Sequence, residues 1–250
     1  MRNKITARDN PLVKQTARLL KSREARQTEG LFLCEGGVML EEALRSGAAI
    51  DKVFAREGTA LPQLPSGVGV YEVSEGVLEK LSDVKTPQGI VFTCGIPSGR
   101  RLRGPHVLAL ENVQDPGNVG TVIRTAEAFG IDSVALLGAC ADVYAPKTVR
   151  STMGSIFRLH ICTGGTEDFF AQTAALGLPV YAAALTREAV PIRAVDLAKA
   201  AVMIGNEANG LSEKTLDLCD KHVIIPISGI QSLNAAVAAS IFMYEMARKE

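Results

Sequence analysis

This chain of 250 residues has no apolar run long enough to span a bilayer. Its opening, Met1-Arg-Asn-Lys-Ile-Thr-Ala-Arg8, sets charges with no apolar stretch behind them, so a secretory signal is not expected and a cytosolic protein is. Cysteine is scarce and badly spaced for cross-linking. Cys34, Cys94, Cys140, Cys162 and Cys219 are odd in number, far apart and mostly inside apolar runs, which fits reduced core thiols rather than a disulfide or zinc framework. No Gly-x-Gly-x-x-Gly follows the first strand of either half of the chain, so a dinucleotide oxidoreductase lacks its fingerprint. No internal repeat or low-complexity tract is present. Net charge is zero, yet it is unevenly spread. Residues 1–30 hold eight Lys and Arg against three acids, a balance of +5, and the remaining 220 carry −5. That arm suits contact with phosphates. It suits equally a solvated helix face, since Lys14, Arg18, Lys21 and Arg26 fall at helical spacing opposite Leu12, Leu19 and Leu20.

What the chain does have is 47% hydrophobic residues, enough for one large domain or two modest ones. A first block reads strand 31–34, helix 38–45, strand 50–55, strand 68–73, helix 74–81 with Ser74 as N-cap, and strand 89–94, which predicts a small layered α/β domain. The run Gly95-Ile-Pro-Ser-Gly-Arg-Arg-Leu-Arg-Gly-Pro105 suppresses regular structure and marks a linker. Domains are therefore expected at 1–98, basic arm included, and at 104–250. The second block alternates strands at 107–111, 133–137, 158–161, 180–185, 201–205 and 222–227 with helices at 119–129, after Pro146, at 167–176, 194–199, from Ser212, and at 232–248. Its strands are gapless and apolar, as in Ala201-Val-Met-Ile204, which predicts a doubly wound parallel sheet covered on both faces.

Three loops in this second block join a strand to a helix. They are Asn118-Val-Gly-Thr-Val-Ile-Arg124 with Gly117 before it, Ile204-Gly-Asn-Glu207-Ala-Asn-Gly210-Leu211, and Ile225-Pro-Ile-Ser-Gly-Ile-Gln-Ser232-Leu-Asn234. In an open α/β sheet that edge is where ligands bind, and loops rich in Gly, Asn and Ser suggest one composite pocket. Taken singly, each has a plainer reading. Arg124 fits a pairing with Glu127, Glu207 fits a cap on the helix near Ser212, and Asn with Gly are ordinary turn formers. In the third loop Pro226 ends a strand, Gly229 permits an unusual backbone angle, and Ser232 starts a long helix whose free amides suit the edge of an adenine.

In order and spacing the three loops resemble the signature motifs of the SpoU/TrmH family of RNA ribose 2′-O-methyltransferases, in the SPOUT superfamily. The resemblance covers the whole chain. Phe32-Leu-Cys-Glu35-Gly36 followed by Glu41-Glu-Ala-Leu44 resembles the family's small substrate-binding domain, and Ala145-Pro-Lys-Thr-Val-Arg150-Ser-Thr-Met-Gly154 resembles its segment after the second strand, with Ala145 where Asn is usual. Ile227 stands where the family has Met, a mild change.

The resemblance implies a C-terminal parallel-sheet SPOUT domain threaded into a trefoil knot, preceded by a small α/β substrate-binding domain. It implies S-adenosylmethionine held by the second and third loops, through Gly205, Asn206, Ile225, Ile227, Ser232 and Leu233. A ribose 2′-hydroxyl of structured RNA, ribosomal RNA ahead of transfer RNA, would displace the sulfonium methyl. Arg124 would activate that hydroxyl as an unusual base or, more easily for a guanidinium, by fixing a phosphate that takes the proton. Asn118, Glu207 and Asn234 would orient Arg124 and the ribose, and Ser232 would hold substrate or cofactor. No metal is needed, and His106, His160 and His222 lie outside the motifs. A homodimer through the last helix and the helix from Val119 is expected, since Ala235-Ala-Val-Ala-Ala239, Ile241, Phe242 and Met246 are apolar around most of a helix. The competing reading from another class is a non-catalytic RNA-binding or ribosome-assembly protein with the same fold.

Overall fold

A computed structural model describes residues 3–99, 101–230 and 232–248. Arg2 of the basic arm, Arg100 of the linker and Gln231 of the third loop lie outside the described residues. The chain divides into two compact units. Unit 1 is residues 1–98 with 142–157, and unit 2 is residues 99–141 with 158–250.

Unit 1 opens with a short strand β1 (Asn3–Ile5) and helices α1 (Pro11–Lys21) and α2 (Arg23–Glu29). The basic arm is thus broken at Ser22, whose side chain accepts from Ala25 N and starts the second helix. The break turns Arg26 inward. It is 4% exposed, its guanidinium engages Leu19 O, and Nε reaches Asp142 Oδ2 at 3.0 Å, so it is no part of a solvated or phosphate-binding face. There follow β2 (Leu31–Glu35), α3 (Gly37–Arg45), β3 (Ile50–Arg56), β4 (Gly69–Val73), α4 (Glu75–Leu81) and β5 (Ile90–Gly95). They form a mixed sheet of order β1-β4-β3-β5-β2, parallel between β1, β4 and β3 and antiparallel where β5 pairs β3 and β2. Leu19, Phe54, Leu78, Leu81 and Val91 fill the space between sheet and helices.

Unit 2 begins with β6 (His106–Glu111), α5 (Pro116–Ala128) and β7 (Ser133–Leu137). The chain then returns to unit 1 for residues 142–157, where α6 (Pro146–Ser151) packs on β2, Phe32 meets the Tyr144 ring at 4.9 Å, and Asp142 receives Arg26. Back in unit 2 come β8 (Ile161–Gly164), α7 (Thr166–Ala175), β9 (Val180–Ala183), β10 (Val190–Pro191), β11 (Ala200–Ile204), α8 (Glu213–Leu218), β12 (Lys221–Ile224) and α9 (Ala235–Ala247). All seven strands are parallel, in the order β10-β12-β9-β11-β6-β7-β8. The strands β7 and β11 are buried at every residue, as a sheet covered on both faces requires.

Several elements differ from the sequence reading. The strand expected at 158–161 starts at Ile161, because Arg158 turns to Glu127 and residues 155–157 form a 3₁₀ turn. No helix spans 194–199. Residues 192–194 make a 3₁₀ turn, and Asp196 then folds its carboxylate onto Ala198 N, the local competition that keeps Asp out of helices. Strand β9 stops at Ala183, leaving Leu185 exposed, and β12 stops at Ile224 ahead of Pro226. The last helix starts at Ala235 rather than Ser232. Four of the five thiols are buried, and burial with the nearby Asp220 and Glu111 carboxylates pushes Cys219 up to about 12. Among the described residues no helix is long and apolar enough to cross a membrane.

Candidate active site

Because every strand of unit 2 points the same way, the loops after β6, β11 and β12 all emerge at one edge. Each is built by local chemistry. After β6, Asp115 caps α5, its Oδ1 accepting from Asn118 N at 2.8 Å, and Pro116 takes the first helical position, where a missing N–H costs nothing. Asn118 therefore sits inside the first helical turn rather than in the turn before it.

After β11 the chain folds back on itself. Asn206 and Gly210 exchange both backbone bonds at 3.0 and 2.9 Å, and Asn206 Oδ1 accepts from Ala208 N and Asn209 N. A Cβ on Gly205 would lie 2.1 Å from the Gly210 carbonyl carbon, so only glycine permits this closure. Glu207 stands exposed at the tip. It does not cap α8, which Ser212 Oγ caps by accepting from Thr215 N.

After β12 the chain takes a more open course. Gly229 adopts φ +81 with nothing within 4 Å of an added Cβ, and residues 226–230 and Ser232 are exposed. Asn234 is the N-cap of α9, its Oδ1 accepting from Ala236 N at 2.9 Å and Val237 N at 3.2 Å. The sequence reading, starting the helix at Ser232, put Asn234 inside the first turn rather than at the cap.

These pieces meet in a chain of hydrogen bonds with a fixed direction. The α9 amides hold Asn234 Oδ1, so Asn234 Nδ2 faces outward and donates to Asn118 Oδ1 at 3.1 Å. Asn118 Nδ2 in turn donates to Glu207 Oε1 at 2.5 Å. One residue from each loop is thus joined, and both amides have only one orientation that serves both neighbours.

Arg124 is not in that chain. It lies six residues beyond Asn118 on α5, which is about 9 Å along and about 240° around the helix. Its guanidinium is exposed, and among the described residues no hydrogen bond or ion pair holds it. Glu127, its alternative partner, pairs with Arg158. Ser232 likewise has no hydrogen bond among the described residues. Gly205 is buried, Asn206, Ile225 and Leu233 are half-buried, and Ile227 is 39% exposed.

The third loop leaves the backbone amides of Ile227, Ser228, Gly229, Ile230, Ser232 and Leu233 without hydrogen bonds among the described residues. That donor set fits the acceptor edge of an adenine and needs no charged side chain. Among the described residues no group of three or more His, Cys, Asp or Glu is arranged to hold a metal ion.

Two neighbours of the site escape a reading by motif. Glu111, last residue of β6, is 4% exposed and receives Ser212 N and Thr215 Oγ1. Asn112 has φ +57, bonds Ala139 N through Oδ1, and offers its carbonyl to Asn206 Nδ2 at 2.9 Å. The one sequence signal is a carboxylate closing an otherwise gapless apolar strand, His106-Val-Leu-Ala-Leu-Glu111.

Residues 105–244 match the model of the SpoU rRNA Methylase family, and residues 10–91 match that of an MRM3-like substrate binding domain. The chain is 34% identical over 245 residues to the Bacillus subtilis 23S rRNA (guanosine(2553)-2′-O)-methyltransferase RlmP, covering 97% of this chain and 98% of that protein. It is 29% identical to the human mitochondrial rRNA methyltransferase 3, covering 92% of this chain and 70% of that one. Among solved structures, the AdoMet-bound rRNA methyltransferase from Sinorhizobium meliloti superposes with a TM-score of 0.87 at 31% identity, covering 98% and 97% of the two chains. The SpoU methyltransferase AviRb from Streptomyces viridochromogenes, in complex with AdoMet, gives 0.83 at 27% identity, covering 95% and 97%.

Proposed function

Since the chain belongs to the SpoU rRNA methylase family, we propose that it transfers the methyl group of S-adenosylmethionine to a ribose 2′-hydroxyl of ribosomal RNA. The observation that carries the reading is the hydrogen-bonded chain from the α9 N-terminus through Asn234 and Asn118 to Glu207, one residue from each motif. S-adenosylmethionine supplies an activated methyl on a sulfonium centre, and Gly205, Asn206, Ile225, Ile227, Ser232 and Leu233 would hold it. This chain's own task is to place a weak nucleophile in line and take its proton. Alignment alone contributes up to about 7–11 kcal/mol.

The Glu207–Asn118–Asn234 chain orients the ribose. Arg124 activates the hydroxyl, most simply by fixing a phosphate that accepts the proton, since a guanidinium hardly deprotonates. Its place outside the hydrogen-bonded chain fits a homodimer in which each site is completed at the subunit boundary. Exposed Val237 and Tyr244 on α9, a helix that packs on α5, support that pairing. A mass near 26.5 kDa by light scattering at micromolar concentration would exclude it. The domains at 1–98 and 104–250, with residues 142–157 of the second packed into the first unit, belong to the same reading, as do a cytosolic location and the threaded knot, and family membership supports them.

On α1 and α2, Lys14, Arg18, Lys21 and Arg23 are exposed, without ion pairs among the described residues, and form the arm's candidate RNA contact. The deciding experiment maps 2′-O-methyl sites in total RNA from cells with and without the gene, followed by methylation of the identified RNA with purified protein. One ribosomal site lost and restored is the expected result. An unchanged map, together with no transfer in vitro, would favour the non-catalytic RNA-binding alternative.

A further inference from the structure

The end of β6 holds the second loop at both of its ends. Asn112, in the left-handed conformation at φ +57, turns its carbonyl to Asn206 Nδ2 at 2.9 Å and so grips the loop where it leaves β11. Glu111, one residue earlier, grips the loop where it enters α8. Its Oε2 accepts from Ser212 N at 2.9 Å, and its Oε1 accepts from Thr215 Oγ1 at 2.5 Å, with Thr166 Oγ1 at 3.5 Å. Ser212 Oγ donates to Thr215 Oγ1 at 2.8 Å and lies 3.3 Å from Glu111 Oε1, and Thr215 Oγ1 donates to the same oxygen. A buried carboxylate served by a backbone amide and ordered hydroxyls is stable only while all of them stay in place, because charged acceptors lose the most when a donor leaves. The seven residues from Gly205 to Leu211 are therefore pinned to the last residue of β6 and the residue after it. Glu207 sits between the pins.

We infer that Glu111 is a positioning residue for cofactor binding, one that touches neither the reacting atoms nor the polar chain and acts by fixing where the second loop stands. This rests on the reading that the second loop holds S-adenosylmethionine. The side chain is not at the sheet edge for solvent, since it is 4% exposed. The Glu111 backbone pairs with Leu137 at the end of the β6–β7 ladder, while its side chain reaches α7, the α8 cap and α8. What it fixes is the starting height of α8 and hence the exit of the loop.

Glu111→Gln keeps the shape and removes the charge, forcing at least one donor onto an amide NH₂. Measured by calorimetry well below the melting temperature, the S-adenosylmethionine Kd is expected to rise about tenfold, which corresponds to about 1.4 kcal/mol. Thr215→Val, which deletes one hydroxyl from the same carboxylate, should raise Kd about threefold, and Thr215→Ser should return it to the wild-type value. A purely structural carboxylate would lower the melting temperature and leave the Kd of the folded protein unchanged, and that result overturns the inference. Asn206→Ala separates the two levels, because it removes the loop's own brace. If Asn206→Ala weakens S-adenosylmethionine and neither Glu111→Gln nor Thr215→Val does, the inference fails and the placement of the cofactor stands. If all three bind normally, the placement of the cofactor fails and takes the inference with it. Should Glu111→Gln not fold, the Thr215 pair decides by the same criterion.

Discussion

The second and third loops leave the same edge of the same sheet and are built on opposite plans. Between Gly205 and Leu211 the chain is braced throughout by a two-bond bridge, an Asn side chain capping two amides, and clamps from Glu111 and Asn112. Between Pro226 and Leu233 the amides of Ile227, Ser228, Gly229, Ile230, Ser232 and Leu233 lack hydrogen bonds among the described residues, and the chain becomes braced only at Asn234. A rigid loop suits the presentation of one carboxylate at one height. A loop with unspent donors suits a ligand that brings its own acceptors. On the proposed function, positioning falls to the second loop and recognition to the third.

Glycine substitutions break or sharpen this contrast most directly. Gly205→Ala places a methyl 2.1 Å from the Gly210 carbonyl carbon and 2.3 Å from Leu211 N, where only backbone could yield. Loss of S-adenosylmethionine binding on the order of a hundredfold or more is expected, since overpacking against a fixed neighbour costs several kcal/mol. Calorimetry on the purified variant checks it, and an affinity within threefold of wild type would show the second loop to be as yielding as the third. Asn118→Asp comes next. It sets a carboxylate oxygen against Glu207 Oε1, where an N–H now donates, and should cut kcat about a hundredfold with cofactor affinity nearly unchanged. Steady-state kinetics with the unmethylated target RNA gives kcat, and calorimetry gives the cofactor affinity. Asn234→Ala removes the cap of α9 and the donor to Asn118. It should cost about 1 kcal/mol of stability, some 3 °C in melting temperature, with kcat down about tenfold. Among the glycine changes the smaller loss of cofactor affinity is expected from Gly229→Ala, where an added Cβ meets nothing within 4 Å and only the φ of +81 is strained, at about 1–2 kcal/mol. A greater loss of cofactor affinity there than in Gly205→Ala would invert the comparison.

Much of the parallel sheet was legible in sequence because buried strands announce themselves by unbroken apolar runs, as in Ala201-Val-Met-Ile204. The elements that escaped are those whose stability comes from elsewhere. Two-residue β10 exists only by its pairing with β12, and the absence of a helix at 194–199 turns on one Asp side chain choosing its own backbone. Asn118, Glu207 and Asn234 were singled out by resemblance to the family's motifs, but the direction of their hydrogen bonds was not legible, since it depends on contacts 89 and 116 residues apart. Glu111 stayed hidden for a related reason. At the end of a strand a carboxylate reads as solvent-facing until the loops that cover it are seen. The break at Ser22 turned Arg26 away from the surface, which the sequence did not show because its partner Asp142 lies 116 residues away.

That last pair has a consequence for anyone who wants the halves of this protein separately. The backbone passes between the units three times, after residues 98, 141 and 157, so no single cut in the gene yields them. A fragment ending at 98 would carry Arg26 with neither Asp142 nor the α6 surface that β2 packs on. A fragment starting at 104 would display Val149 and Ile156, side chains now buried in the other unit, as fresh adhesive surface. Clean dissection would require excising residues 142–157 from one gene and grafting them onto the other, and a protease meeting the interdomain linker would nick the chain without freeing either half.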